Sequence, residues 1–492
     1  MKSEKLSNRH FFLDLKSIIT VFVSGFSLCV FFFFDQSAFS PEINSVIADV
    51  VIILLFIIAG SLGYLLYKNN LLNTRNLILL LFLCGFALRL GYALRYGYQY
   101  NQHDVESLDS KGHLSYIYYI AENLCLPNSN DWQYSHPPLH HIISAVFVKF
   151  CTAIGYSLNR SFENIQLLTV FYSSLLMPIG LMICKQCKIK GKTLLLCAVL
   201  LSFHPTFFIL SGSINNDVLT IMLSMSGFLY LLKWYNSPSV KSAVLCGFFI
   251  GLAMMTKVSA ALIAVVVAVT VIIKFIISNE LRFKSLAVQT LLFLAVMLPL
   301  GLWHPIRNYI LFAQPIGYVA PISVTSQLYI GGLSLFERIG ISLGNIHSLY
   351  VDVWNEHNLW LYLLRNSLFG EYSFGKQGIA LFLVVANFVL IICSIIALVY
   401  LTVKIKVNET VIPIIILFIV QLAFFVYFNI KYPFGCSMDF RYIVPLLFTG
   451  IVSLAKAKEN LKQNSTIISK LLVFAAKMST VVFIGSSIAL FV

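Results

Sequence analysis

The chain has 492 residues, 59% of them hydrophobic and only 11% charged, with 34 Lys and Arg against 20 Asp and Glu for a formal charge of +14. Its apolar residues form continuous runs of about 18 or more, the length that crosses roughly 30 Å of hydrocarbon, which excludes a soluble domain and, because the runs do not alternate, a membrane β-barrel. The positive charge falls mostly in short loops between these runs, the pattern that orients a membrane protein, so no nucleic-acid partner is implied.

In chain order, the basic N-terminus (Lys2, Lys5, Arg9, Lys16) leads into an apolar run without a small-residue cleavage site, which predicts an uncleaved first span starting on the cytoplasmic side. Spans are expected at 16–34, 46–67, 77–97, 164–184, 192–210, 217–235, 241–256, 258–278, 285–305, 378–403, 410–430, 440–455 and 471–491. The fold class is therefore an all-α polytopic membrane protein with about thirteen transmembrane helices. Two large loops, 98–163 and 306–377, divide it into a two-helix extension (1–76), a central module (77–305), the second loop and the C-terminal helices (378–492). The ten cysteines lie mostly inside apolar runs and read as small buried hydrophobes; Cys184 and Cys187 form one CxxC without the second pair a structural zinc site needs.

The segment "PPLHHIISAVFVKFCTAIG", 137–155, decides the topology. If it lies flat, Lys185, Lys188, Lys190, Lys192, Lys233, Lys241, Arg282, Lys284, Lys404, Lys406, Lys456, Lys458 and Lys462 all share the side of the N-terminus, as the charge bias requires. Leu139, Ile142, Ile143, Val146, Phe147 and Phe150 recur on one helical face, with His140, His141, Ser144 and Lys149 on or beside the other. Residues 112–124 likewise predict an amphipathic helix, with Leu114, Ile117, Ala121 and Leu124 apolar and Ser110 as its cap. Two interfacial helices are thus expected in the first outer loop.

This topology gathers the rare polar residues on the outer face: the acids Asp104, Glu106, Asp109, Asp217 and Asp439, the cations Lys257, Arg307 and Arg441, and the histidines His103, His113, His136, His140 and His141. Ionisable groups at membrane depth are costly, so their convergence at a lipid boundary points to function. Arg suits bidentate phosphate contacts, Lys a mobile point charge, and a neighbouring carboxylate can act as base for an acceptor hydroxyl. The inventory describes transfer of a group carried on a lipid phosphate.

The ordered motifs "HDV...GHLSYIYYIAENLCLP...YSHPPLHH", "NNDVLTIMLSMSGFLYLL", "GLAMMTKVSA", "WHPIRNYILF" and "MDFRYIVPLL" resemble the C-type membrane glycosyltransferase superfamily, which includes protein O-mannosyltransferases and aminoarabinose transferases (glycosyltransferase family 39-like), over roughly 77–450. The resemblance implies a polyprenyl-phosphate-sugar donor, an acceptor (glycan, lipid or protein) approaching from outside, and Asp104 as base or acceptor-positioning carboxylate. It also suggests a bacterial cytoplasmic membrane, with the endoplasmic reticulum as the alternative, where the topology above turns the site outward, and it puts Asp217 at the position of the family's second outer-loop carboxylate. Val105 separates Asp104 from Glu106 where family members often carry adjacent acids. Asp104 and Asp217 are thus the catalytic candidates, and Glu106, His113, His136, Lys257, Arg307 and Arg441 the substrate-binding ones.

Each candidate also has a plain structural alternative. Asp217 can cap the helix that follows, Lys257 can be a snorkelling turn residue, Arg441 can pair with Asp439, and His113 can be a packed core histidine. No cofactor is expected, though His136 and His140, four apart, could join Asp104 around a divalent cation. A transporter or flippase for the lipid-linked sugar is the alternative function; it would favour inverted repeats and midplane charges, and neither is visible in the sequence.

Overall fold

The computed structural model describes residues 34–100, 105–277, 282–341, 357–404, 409–461 and 467–492. The expected span at 16–34 therefore lies almost wholly outside the described residues, as do His103 and Asp104. Among the described residues nine helices are long and apolar enough to cross a membrane, or eleven if each of two bent pairs is one span. These long apolar helices make the chain an integral membrane protein.

The chain enters through α1 (Pro41–Lys68), begun by Ser40 as cap and Pro41 in the first turn, and returns through α2 (Thr74–Arg95), whose cap Asn73 accepts from the amides of Arg75 and Asn76. The first large loop holds α3 (His113–Asn123) and α4 (Leu139–Ala153), and the short α5 (Leu158–Glu163) leads into α6 (Ile165–Gln186). Gly112 caps α3 without a side-chain bond, and the Ser110 hydroxyl instead donates to the Ser107 carbonyl, so the expected Ser110 cap is corrected. On α4, His140, His141 and Ser144 are fully buried while Val146 and Phe150 are more than half exposed. The polar face thus packs on the protein, because its side chains find partners there, and the apolar face is the one left outward.

The run expected as one span at 192–210 is two helices, α7 (Gly191–Phe203) and α8 (Pro205–Gly212), bent by 41°. Pro205 donates no hydrogen bond and holds His204 in extended backbone, so the helix must break there. The carbonyls freed at Leu201 and Ser202 accept from the Arg89 guanidinium at 3.0 and 3.1 Å, while its Nε donates to Ser173. On the far side of the break Ser173 donates to Phe207, Thr169 to Ser211, and Gln166 to Gly212. Irregular backbone survives in an apolar helix layer when protein groups satisfy it in this way.

Next come α9 (Asp217–Asn236), α10 (Val240–Met254), α11 (Ala261–Ile277) and α12 (Phe283–Phe312). Of the long spans α9 is the most enclosed, with 83% of its apolar window buried against 28% for α11 and α12, so it is the central post. At 15 residues α10 is about 22 Å long, short of the hydrocarbon thickness expected for 241–256. The second loop carries α13 (Leu335–Ile339) and α14 (Leu359–Phe369), and the chain closes with α15 (Gln377–Val403), α16 (Ile412–Lys431), α17 (Pro445–Leu461) and α18 (Ile467–Phe491). The expected span at 440–455 is another bent pair, with 3₁₀ turns over Gly435–Ile443 set at 50° to α17.

Candidate functional site

Asp217 stands in the first turn of the central helix, where the N-terminal backbone amides favour a carboxylate. It is not the cap. Asn216 holds that position, and the Asn215 side chain both accepts from the Asp217 amide and donates to Asp217 Oδ2, at 3.1 Å each. The carboxylate is thereby aimed at two cations: Lys257 Nζ lies 2.5 Å from Oδ1 and Arg441 Nη1 lies 3.0 Å from Oδ2. Arg441 is pinned from its other side by Asp439, which accepts from Nε and from the Arg441 amide, both at 2.8 Å.

Three distant stretches of chain meet in this cluster, and each is held locally. The turn after α10 presents Lys257 and is tied to the α9 entry by Asn216 Nδ2, which donates to the Thr256 carbonyl at 3.0 Å. The turn carrying Asp439 and Arg441 is fastened by the second loop, where Asn366 Oδ1 accepts from the Phe440 amide at 2.8 Å, and Leu328 and Ile330 bond the backbone at Gly435 and Pro433. The side chains of Asp217, Asp439 and Arg441 are at most 5% exposed, while that of Lys257 is 15% exposed. Formally the four charges cancel, which is how so many ionised groups persist away from water.

The cluster forms the floor of a shallow open crevice, about 40 Å³ in volume, between α9, α11, α16 and the start of α17. Thr220, Ser224, Gln421 and Tyr442 add polar groups to its walls, and Ile221, Leu262 and Ile263 add apolar ones. The Lys257 ammonium sits 4.9 Å from the Tyr442 ring centroid. Its lining sets two cations beside apolar side chains.

Beside the cluster lies a bank of histidines. His113 Nδ1 and His141 Nε2 are 2.8 Å apart with their rings stacked, and the His136 ring also stacks with His113, at 6.0 Å. The His140 Nε2 proton goes to the Ile214 carbonyl at 2.7 Å, three residues before Asp217. Burial pushes the His140 imidazole down to about 4 and that of His141 further below its ordinary value, so both are neutral at physiological pH. Among the described residues no three His, Cys, Asp or Glu side chains stand where they could share a metal ion.

The structure thus brings Asp217, Lys257 and Arg441 into direct contact and sets His113 and His136 in the adjoining bank. Arg307 has a different position: at the end of α12 its Nη2 donates to the Pro127 carbonyl at 2.9 Å and its Nη1 to Asn308, tying the first loop to the helix layer. Glu106 accepts from the Trp132 indole at 2.6 Å and is a latch within the loop. Asp104 lies outside the described residues. The sequence reading missed Arg89, although a guanidinium inside the apolar run "LCGFALRLGYALR" was the available signal, and it missed Asn215 and Asn366, which nothing local distinguishes from other asparagines.

Comparison with known proteins adds to this geometry. Residues 135–303 match the family profile described as dolichyl-phosphate-mannose-protein mannosyltransferase, so the resemblance carried by the motifs returns in an independent comparison. That segment includes His136, His140, His141, Asp217 and Lys257 and stops before Arg307 and Arg441. No characterised protein sequence matches the chain. Similar solved structures include the archaeal oligosaccharyltransferase AglB from Archaeoglobus fulgidus in complex with an inhibitory peptide and a dolichol-phosphate, at 11% identity and a TM-score of 0.47, with 83% of this chain and 56% of that one covered. The same enzyme in its apo form gives 12% identity and a TM-score of 0.46, with 83% and 56% covered, so this chain spans little more than half its length. ArnT from Cupriavidus metallidurans in the apo state gives 13% identity and a TM-score of 0.32, with 74% and 79% covered.

Proposed function

We propose that this chain, with its mannosyltransferase-family segment at 135–303, is an integral-membrane glycosyltransferase that takes a sugar from a polyprenyl-phosphate donor and passes it to a glycan, lipid or protein acceptor on the outer face of a bacterial cytoplasmic membrane. The observation that carries this reading is the balanced cluster of Asp217, Lys257, Asp439 and Arg441 at the floor of a crevice with apolar walls. A phosphate entering there competes with Asp217 for Lys257, the most exposed of the four side chains. Arg441, held at Nε by Asp439, offers its Nη side to the same anion in competition with Asp217.

In the transfer, the acceptor oxygen attacks the anomeric carbon opposite the phosphate. The bond from that carbon to the phosphate oxygen breaks, its electron pair stays on the phosphate, and Lys257 and Arg441 stabilise the charge gathered there. The configuration at the anomeric carbon inverts. Both Asp217 oxygens already face donors, which suits a residue that orients the two cations rather than one that takes a proton from the acceptor. That proton goes to Asp104, the base or acceptor-positioning carboxylate, on the strength of the motif around it. Arg307 and Glu106 hold the first loop in place over the site, and His113 and His136 border the acceptor's approach.

The test is transfer from a panel of labelled polyprenyl-phosphate sugars by purified protein in lipid, with an extract of outer-surface glycans as acceptor. We expect transfer from one donor by the wild type and at least about a hundredfold less by Asp104→Asn, the usual scale for a lost general base. Equal transfer by the variant removes Asp104 from the mechanism. Donor binding without transfer across the whole panel contradicts the enzyme reading.

A further inference from the structure

A second cavity lies away from the charged crevice. It is bounded by α9, α10, α11 and α12, has a volume of about 360 Å³, and is walled by Trp234, Ala243, Cys246, Val267, Phe293 and Met297 among others. That volume is near the lower end of the roughly 300–1,000 Å³ of ligand pockets. The crevice opens on the α16 and α17 side of α11; this cavity lies on the α10 and α12 side, so the two are separated by a helix. Its polar groups are already satisfied, since the Trp234 indole donates to Gln289 Oε1 at 2.7 Å and Gln289 Nε2 donates to Ser285 at 3.0 Å. What remains is an apolar hollow that water fills at a cost.

The packing explains why it exists and where it opens. α10 packs extensively on both α9 and α12, whereas α11 and α12, consecutive in the chain, barely touch one another. The gap between them leaves the cavity open to the outside of the helix layer, where its lining residue Ile272 on α11 is 58% exposed. Basic residues mark one end of the gap. Lys274 follows Val271 and Val267 on the same face of α11, its ammonium 4.8 Å from the Tyr235 ring, and the exposed Arg282 precedes Gln289 by two turns on the cavity face of α12.

We infer that this cavity is a binding site for an anionic phospholipid, one acyl chain inserted between α11 and α12 and the phosphate headgroup on Lys274 and Arg282. The apolar walls supply most of the affinity through the methylenes they bury, and the two cations select the headgroup. Such a lipid fills the wedge between α11 and α12 and so sets their separation, on the side of α11 opposite the donor crevice. The inference does not depend on the proposed transferase activity, and its test measures lipid binding alone.

Trp234 makes the cavity observable. The full chain is placed in phosphatidylcholine nanodiscs with rising fractions of phosphatidylglycerol brominated at mid-chain, and the quenching of Trp234 is taken as the difference between wild type and Trp234→Phe. We expect brominated phosphatidylglycerol to quench Trp234 more than brominated phosphatidylcholine at equal fraction, with the preference falling about fivefold for each of Lys274→Gln and Arg282→Gln. Ala243→Phe, which fills the cavity and leaves the basic rim intact, should abolish quenching by both lipids. Equal quenching by the two lipids, no quenching by either, or release of phosphatidylglycerol by added polyprenyl phosphate would each overturn the assignment, the last by giving the cavity to the donor's tail.

Discussion

Asp217 accepts from two cations at once, and the consequence can be measured. Replacing it by Asn leaves Lys257 and Arg441 buried beside each other with Asp439 as their only remaining carboxylate in the cluster, so Asp217→Asn should destabilise the protein by about 3–5 kcal/mol, the cost of breaking a buried pair from one side. Lys257→Gln on top of Asp217→Asn should cost far less than the two changes summed, because it removes the charge left unpaired. Thermal unfolding of the three variants in lipid is the check, and strict additivity would show that the four side chains do not act as one unit. At this scale the sequence was informative for a physical reason: an ionised residue in apolar surroundings is expensive, so Asp217, Lys257 and Arg441 stood out. That Arg441 would serve both its neighbour Asp439 and Asp217, 224 positions away, depended on tertiary packing that no local pattern encodes.

Among the elements, the break between α7 and α8 depends on Arg89. Arg89→Leu strips Leu201 and Ser202 of their donor and should destabilise by about 1–3 kcal/mol for each carbonyl left bare, and Arg89→Lys should rescue little because an ammonium gathers its three donors at one point, whereas Nε, Nη1 and Nη2 of the guanidinium reach Ser173, Ser202 and Leu201 separately. Hydropathy gave the length of that run correctly and could not show the break, since Pro205 alone permits either a kink or an end. The pair α3 and α4 carries a pH dependence. With His140 at about 4 in the fold against an ordinary 6.5, the unfolded chain binds more protons between those values, so stability is complete above about pH 6.5 and is lost as pH falls towards 4. His141, lowered by the same burial and by its histidine neighbours, adds to the loss. The unfolding midpoint of wild type should drop between about pH 6.5 and 4.5, and His140→Gln should flatten that slope; a midpoint indifferent to pH would contradict neutral burial.

Across the whole molecule, the all-helical class and the places of most spans followed from composition and run length, because in lipid each backbone must satisfy itself and a long apolar run has few other solutions. Which helices become neighbours did not follow. α18 ends the described chain against α2, α15 and the α7 break, where Phe491, Ala489 and Ser487 meet Arg95, Lys376 and the Phe203 carbonyl, and no run of hydropathy specifies that closure. The same long-range packing sets Asp439 and Arg441 against α9 and so makes the crevice.

The central claim is that the crevice seats a lipid phosphate, and the most direct measurement is a binding titration of polyprenyl phosphate to the purified protein in nanodiscs, wild type against Lys257→Gln, Arg441→Gln and the surface control Lys149→Gln. The account predicts saturable binding that weakens at least about tenfold in each of the first two variants and is unchanged in the third, the scale of one lost charge-assisted contact. Binding that is indifferent to both Lys257 and Arg441 would contradict it.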